Sequence, residues 1–177
     1  MQGPRPNDQI DEIAIREFIA VDYPRVVAAV RLVAGDGAED AVAEALARAW
    51  ERSAGGTRIE TLAAWVTRVA LNLATSRWRH LRVEKLARPR LARPEEEPIS
   101  SADDRLDIER ALTTLSRRER EVVVLRYYLG MDVADVAATL RVTGGTAKTL
   151  LHRARTKLAD QLSELDTQEA NVRAELR

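Results

Sequence analysis

Apolar residues recur along most of this chain at intervals of three and four, the spacing that gathers side chains on one face of an α-helix. Ile10, Ile13, Phe18 and Val21 make a first stripe, and Pro24 restarts a helix through Val26, Val27, Val30 and Val33. Gly35-Asp36-Gly37 closes it. Asp36, with Glu39 three residues later, predicts a capping box for a helix lined by Val42, Leu46 and Trp50, which Gly55-Gly56 ends. The next helix, about 60–81, carries two faces of different chemistry. Leu62, Val66, Val69 and Leu73 form the expected core side, whereas Trp65, Arg68, Asn72, Ser76 and Arg79 follow one another along another side. An aromatic, an amide and guanidiniums are the groups that stack on bases, bond their edges and neutralise phosphates.

The pattern then breaks. Pro89, Pro94 and Pro98, the acidic triplet Glu95-Glu96-Glu97 and Ser100-Ser101 show no apolar period and read as a flexible linker over residues 88–105. It separates a first domain, 8–87, from a second, 106–163, and leaves a tail, 164–177, in which Leu165, Val172 and Leu176 can extend a helix. With no hairpin signal between alternating segments, the expected fold class is all-α, two small helical bundles.

In the second domain Leu106, Ile108, Ala111, Leu112 and Leu115 suggest one helix, and Ser116 with Glu119 makes a capping box for another holding Val122, Val123, Leu125 and Arg126. Gly130 is its stop. A short helix with Val133, Val136, Ala137 and Leu140 on one face follows, then a turn at Arg141-Val142-Thr143 and a helix from Gly144 to about Leu162. This order is that of a helix-turn-helix, whose second helix lies in the DNA major groove. On that helix Ala147, Leu151, Ala154 and Leu158 are the expected buried stripe, flanked by Leu150. Gly145, Lys148, Thr149, His152 and Thr156 point the other way. Thr143 and Thr146 sit at the N-terminus, where free N–H groups suit a phosphate. Lys148, Thr149 and His152 can reach base edges, and Arg153 and Arg155 clamp the backbone.

The charge balance of 28 Lys+Arg against 28 Asp+Glu argues at first against a nucleic-acid binder. The distribution of those charges points the other way. Between Trp65 and Arg93 the cations Arg68, Arg77, Arg79, Arg82, Lys85, Arg88, Arg90 and Arg93 face one acid, Glu84, and no carboxylate occurs between Val136 and Ala159. The acids gather in 8–60, in the linker triplet and in the tail, so the chain can turn basic faces to DNA and an acidic face to a protein. The absence of cysteine excludes disulfides and thiolate chemistry, and His80 and His152 stand alone, so neither a catalytic site nor a metal site nor a cofactor is expected. No run of about 18 apolar residues and no secretory leader is visible, so the expected location is the cytoplasm, without membrane insertion.

The two halves together resemble the extracytoplasmic-function (ECF) sigma factors of the sigma-70 family. Ala38-Glu39-Asp40-Ala41-Val42 through Arg48-Ala49-Trp50, and Ala64-Trp65-Val66-Thr67-Arg68-Val69-Ala70-Leu71-Asn72, are similar to region 2. Leu115-Ser116-Arg117-Arg118-Glu119-Arg120-Glu121, Thr146-Ala147-Lys148 and His152-Arg153-Ala154-Arg155 are similar to region 4, and the matches span roughly 12–162. The resemblance implies a transcription initiation factor that brings core RNA polymerase to promoters. It implies docking of the helix around Asp40, Glu44, Arg48 and Trp50 on the β′ clamp helices. The loop 52–59 and the Asn72 face, with Trp65, Arg68, Ser76 and Arg79, would read the −10 element as a single strand, and region 4 would read duplex −35 DNA and touch the β flap. An anti-sigma factor is the further implied partner. The chain departs from the family's usual pattern at Ser116, Gly144 and Leu150.

Other readings compete. A response regulator or quorum-type activator shares the four-helix DNA-binding pattern, but needs a sensory first domain that the helical periodicity here does not provide. A sigma mimic would use the same fold to sequester an anti-sigma factor without touching DNA. A hydrolase built on His80 or His152 lacks a nucleophile or partner carboxylate placed near either in sequence.

Overall fold

The structure, a computed structural model, describes residues 10–85 and 102–175, with side chains placed at 10–75, 108–161 and 163. The chain divides into two compact units, Met1–Pro94 and Glu95–Arg177. Among the described residues every regular element is helical, and no helix is long and apolar enough to cross a membrane. The proline and acidic segment 88–101 lies outside the described residues.

The first unit opens with α1 (Glu12–Glu17), capped by Asp11, whose Oδ1 accepts the Ala14 N–H at 2.8 Å. A π-helical turn over Phe18–Asp22 then leads into α2 (Tyr23–Ala34), with Pro24 in its first turn. That turn explains why the first apolar stripe fails as a core. A π turn inserts an extra residue, so positions before and after it fall out of phase. Phe18 is buried, but Ile13 and Val21 are 68% and 62% exposed.

The hinge Gly35-Asp36-Gly37 differs from the expected capping box. Asp36 lies in the turn, and the cap of α3 (Ala38–Ala54) is Gly37 at φ +80°, with no side-chain bond to the helix. A Cβ on Gly37 would meet nothing within 4 Å, so the left-handed backbone rather than crowding calls for glycine there. Glu39 and Asp40 in the first turn complement the free N–H groups instead.

The buried face of α3 is also rotated from the expected one. It comprises Ala38, Ala41, Val42, Ala45, Ala49 and Ser53, while Leu46 is half-buried and Trp50 is 47% exposed. Small side chains let α2 and α4 approach α3 closely, which leaves its bulky residues at the rim. Likewise, α4 (Leu62–Lys85) buries Val66, Thr67, Ala70, Leu71, Ala74 and Thr75, and Leu62, Val69 and Leu73 sit at the boundary. The two buried threonines donate to the carbonyls of Ala63 and Leu71 at 2.7 and 2.6 Å, so their hydroxyls cost no unsatisfied group. Ser53 does similar service: its Oγ accepts the Ile10 N–H at 2.7 Å and ties the start of the unit to the end of α3.

In the second unit α5 (Ala102–Thr113) begins within the segment that the sequence pattern assigns to the linker, so 102–105 are helical. Leu112 and Leu115 are buried and Ile108 is exposed; the Leu106 side chain lies outside the described residues. The capping box at Ser116 is present in full: the Ser116 N–H donates to Glu119 Oε2 at 2.8 Å, and the Glu119 N–H to Ser116 Oγ at 3.4 Å. It opens α6 (Arg117–Val123), which continues through a π-helical turn over Val124–Tyr128 and stops at Gly130, φ +74°.

Asp132 caps α7 (Val133–Leu140), and Arg141 takes the left-handed conformation at φ 54° to turn the chain into α8 (Gly144–Glu175). Val122, Leu125, Val136, Leu140, Ala147, Leu151 and Ala154 form the core where α6, α7 and α8 meet. Burial of the valines and leucines among them, each worth about 1.5–3 kcal/mol, fixes the roll of α8 and therefore which of its residues face outward. The helix runs on past the expected Leu162 into the segment read as a tail; Leu176 lies outside the described residues, as do the side chains of Leu165 and Val172.

Candidate nucleic-acid interface

The turn between α7 and α8 presents a polar, cationic surface. Thr143 Oγ1 accepts the Thr146 N–H at 3.1 Å and lies 2.8 Å from Thr146 Oγ1, which fixes the first turn of α8. Gly145, Thr146, Lys148, Thr149, His152, Arg153, Arg155 and Thr156 are all exposed, as is Thr143, while Ala147, Leu151 and Ala154 are buried beneath them. The structure thus brings every residue expected to face duplex DNA on this helix onto its solvent side. Two hydroxyls on that side are already engaged as donors: Thr149 Oγ1 to the Gly145 carbonyl at 2.9 Å and Thr156 Oγ1 to the His152 carbonyl at 3.2 Å.

One buried carboxylate on α6 ties α8 to that helix, and a second orients cations on α6 itself. Glu119 Oε2 accepts both the Ser116 N–H and the Lys157 ammonium of α8, each at 2.8 Å. The Lys157 bond, with the Ser116 bonds, lowers the Glu119 carboxyl to about 2 against the desolvation that burial imposes. Glu121, side chain 1% exposed, accepts from Arg117 Nε at 2.7 Å and from Arg118 Nη1 at 2.9 Å. One buried acid therefore orients two surface guanidiniums. Arg120 donates to the carbonyls of Thr113 and Leu115 at the end of α5, and burial lowers its pKa. Sequence reasoning found Glu119 as a cap; its second role toward Lys157, 38 residues away, carries no local signal.

In the first unit the expected single-strand face divides. Trp65 and Arg68 are half-buried and Asn72 is exposed; Ser76 and Arg79 lie on the same helix, but their side chains are outside the described residues. Trp65 and Val69 line an open cavity of about 490 Å³ with Arg48, Glu51 and Arg52 of α3. An aromatic ring beside cations and a carboxylate can stack a base and bond its edge. Arg48 is paired with Glu44, Nε to Oε1 at 2.8 Å. Arg48 thus sits beside Trp65 as well as on the face read for protein contact.

On α3, Asp40, Glu44, Arg48 and Trp50 are all exposed. Beside them runs an apolar groove of about 640 Å³, between Ile15, Ile19 and Tyr23 on one side and Ala43, Leu46 and Trp50 on the other. Burial raises the pKa of the Tyr23 phenol, with the Glu39 and Asp40 carboxylates adding to the effect. Ile15, Ile19 and Tyr23 recur at intervals of four, a local signal that the stripe drawn through Ile13, Phe18 and Val21 leaves out. Among the described residues no group of three or more metal-ligating side chains converges.

Comparison with known proteins places these surfaces in context. A family model described as sigma-70, region 4, matches residues 105–158. The RNA polymerase sigma-E factor of Streptomyces antibioticus is 34% identical over 139 residues, covering 77% of this chain and 75% of that protein. The ECF RNA polymerase sigma factor SigL of Mycobacterium tuberculosis is 35% identical over 147 residues, with 77% and 81% coverage. Among solved structures, the sigma factor RpoE in complex with the anti-sigma factor NepR, from Bartonella quintana, superposes with a TM-score of 0.70 at 26% identity, covering 86% of this chain and 98% of that one. CnrH in complex with the cytosolic domain of CnrY gives 0.65 at 20% identity, a likeness of fold, over 87% and 90% of the two chains.

Proposed function

Since the chain belongs to the ECF sigma factors of the sigma-70 family, transcription initiation factors that direct core RNA polymerase to promoters, we propose how its surfaces divide that work. The exposed face of α8 enters the major groove of the −35 element. Lys148, Thr149 and His152 meet base edges there, and Thr143, Thr146, Arg153 and Arg155 hold phosphates. Gly145 leaves the approach open.

The α4 face with Trp65, Arg68, Asn72, Ser76 and Arg79, together with the cavity shared by Arg48 and Arg52, takes the melted −10 strand, one unstacked base resting against Trp65. The exposed side of α3, with Asp40, Glu44, Arg48 and Trp50, docks on the β′ clamp helices, and the apolar groove beside Trp50 gives that contact a dry centre. The second unit also touches the β flap. The chain contributes binding and no catalytic group; phosphodiester chemistry belongs to the polymerase. It acts in the cytoplasm, where polymerase and DNA are.

One observation carries the reading: between Gly144 and Ala159 α8 holds no carboxylate, and every cation and hydroxyl in the stretch from Thr143 to Lys157 is exposed. Solvation alone does not require one sign of charge on a helix face. An anti-sigma factor is the proposed regulator, supported by the Bartonella neighbour, which was solved with one. Run-off transcription with core polymerase and the purified chain tests the whole proposal. Promoter-specific transcripts that depend on the chain are expected. Loss of specificity on charge reversal at Lys148 and Arg153 together with Asn72→Asp is the second expectation, and unchanged initiation by that triple variant would refute it.

A further inference from the structure

The hydrogen bonds on α8 determine more than its orientation: they set which hydrogen-bonding sign each outward residue can offer a base. Lys148 is a donor and nothing else. Its neighbour Thr149 carries a single hydroxyl hydrogen, which lies on the Gly145 carbonyl at 2.9 Å. What Thr149 turns outward is therefore an oxygen that accepts. Two adjacent exposed positions thus present opposite signs, and no carboxylate between Val136 and Ala159 competes with them.

Gly145 sharpens this arrangement. It sits one turn before Thr149, outside the left-handed region, and a Cβ there would meet nothing nearer than Thr143 Oγ1 at 3.8 Å. Neither backbone conformation nor packing within the chain calls for glycine, which is a poor helix former. The missing side chain leaves the exposed first turn of α8 open to something outside the chain.

We propose that Lys148 and Thr149 read a base step in the duplex element in which guanine lies next to a base with a major-groove amino group, adenine or cytosine. Guanine offers two acceptors, N7 and O6, to the Lys148 ammonium, and the amino hydrogen of adenine N6 or cytosine N4 goes to Thr149 Oγ1. Guanine and thymine, with no major-groove amino group, leave the Thr149 oxygen facing an acceptor and are rejected at the second position. The inference rests on the proposal that α8 reads the −35 element.

The test uses holoenzyme assembled from the full chain and core polymerase on a promoter library with a randomised −35 element, transcripts being counted by sequencing. Wild type is expected to show both preferences. Lys148→Met flattens the guanine preference by on the order of tenfold and leaves the neighbouring position selective, whereas Lys148→Arg retains guanine. Thr149→Val, which keeps shape and loses the oxygen, flattens the amino-base preference alone. A uniform drop across all library members with Lys148→Met marks a phosphate contact and overturns the inference, as does unchanged selectivity with Thr149→Val. If wild-type holoenzyme initiates at no member while the same polymerase works with another sigma factor, the functional reading itself fails, and the inference with it.

Discussion

Replacing Glu119 by glutamine separates two jobs that one carboxylate performs. Glutamine keeps an oxygen for the Ser116 N–H, so the cap of α6 survives, but it removes the charge that holds Lys157 at 2.8 Å. The carboxyl lies at about 2 rather than its ordinary 4.5. At about 1.4 kcal/mol per unit, that depression has a ceiling of roughly 3 kcal/mol. Lys157 is 49% exposed, so solvent screens the pair and about 1–2 kcal/mol is the expected loss at pH 7.

The sign follows from the direction of the shift. A carboxyl with a depressed folded value stabilises fully above its unfolded value, and the contribution fades as pH falls toward about 2. Hydrogen exchange at the amides of α6 and α8 reads the second unit alone. Glu119→Gln should exchange roughly 5–30 times faster than wild type at pH 7, and the gap should narrow steadily below about pH 5 once intrinsic rates are corrected. Equal protection at pH 7, or a gap that persists unchanged toward pH 2, would refute the assignment of the lock to this ion pair.

Other substitutions probe the remaining surfaces. Leu125→Ala empties a site that is 1% exposed and should cost about 2–5 kcal/mol, seen as early loss of helical circular dichroism in a denaturant titration. Trp50→Ala should leave the stability within about 0.5 kcal/mol of wild type but weaken binding to core polymerase in a fluorescence titration. A loss of stability like that of Val42→Ala would instead make Trp50 a core residue. Gly145→Ala should stabilise the chain by up to about 1 kcal/mol in thermal melts and reduce initiation at −35-dependent promoters; rising stability with unaltered initiation would remove the need for an open approach. Arg153→Met should lower the slope of log affinity against log salt for promoter binding by about one, and an unchanged slope would place Arg153 away from phosphate.

Periodicity and caps made much of the second domain readable because several of its helices open or close at local signals. Ser116 with Glu119 and Gly130 are local signals that hold in the structure, and of the expected stripe Ala147, Leu151 and Ala154 are buried while Leu158 is half-buried. The first domain was less legible. A π turn over Phe18–Asp22 breaks the phase of its opening stripe, and alanines rather than large residues line the buried side of α3, so Leu46 and Trp50 looked like core. Hydrophobic patterning favours bulk, and close helix packing favours its absence. The Glu119–Lys157 and Trp65–Arg48 neighbourhoods join residues from different helices, so no spacing within a single helix announces them.

The overall charge balance bears on why such a factor needs a polymerase at all. A chain with equal numbers of acids and bases creates little long-range attraction for DNA, so its cationic faces act only at contact distance. Each unit offers a small footprint: one helix face in the second, a half-buried tryptophan and its neighbours in the first. Neither supplies the phosphate contacts that give tight binding at physiological salt. Two small sites whose separation nothing fixes add their affinities poorly. Once a scaffold holds both at the right separation, the second contact becomes intramolecular and gains the effective concentration that the free protein lacks. On the proposed division of the surfaces, the acidic, Trp50-bearing side of α3 engages that scaffold while α4 takes the strand. Weak binding of the free chain to promoter DNA, measured by fluorescence anisotropy, and strong binding once core polymerase is added are therefore two consequences of one charge pattern. Tight promoter binding by the chain alone at physiological salt would refute that account.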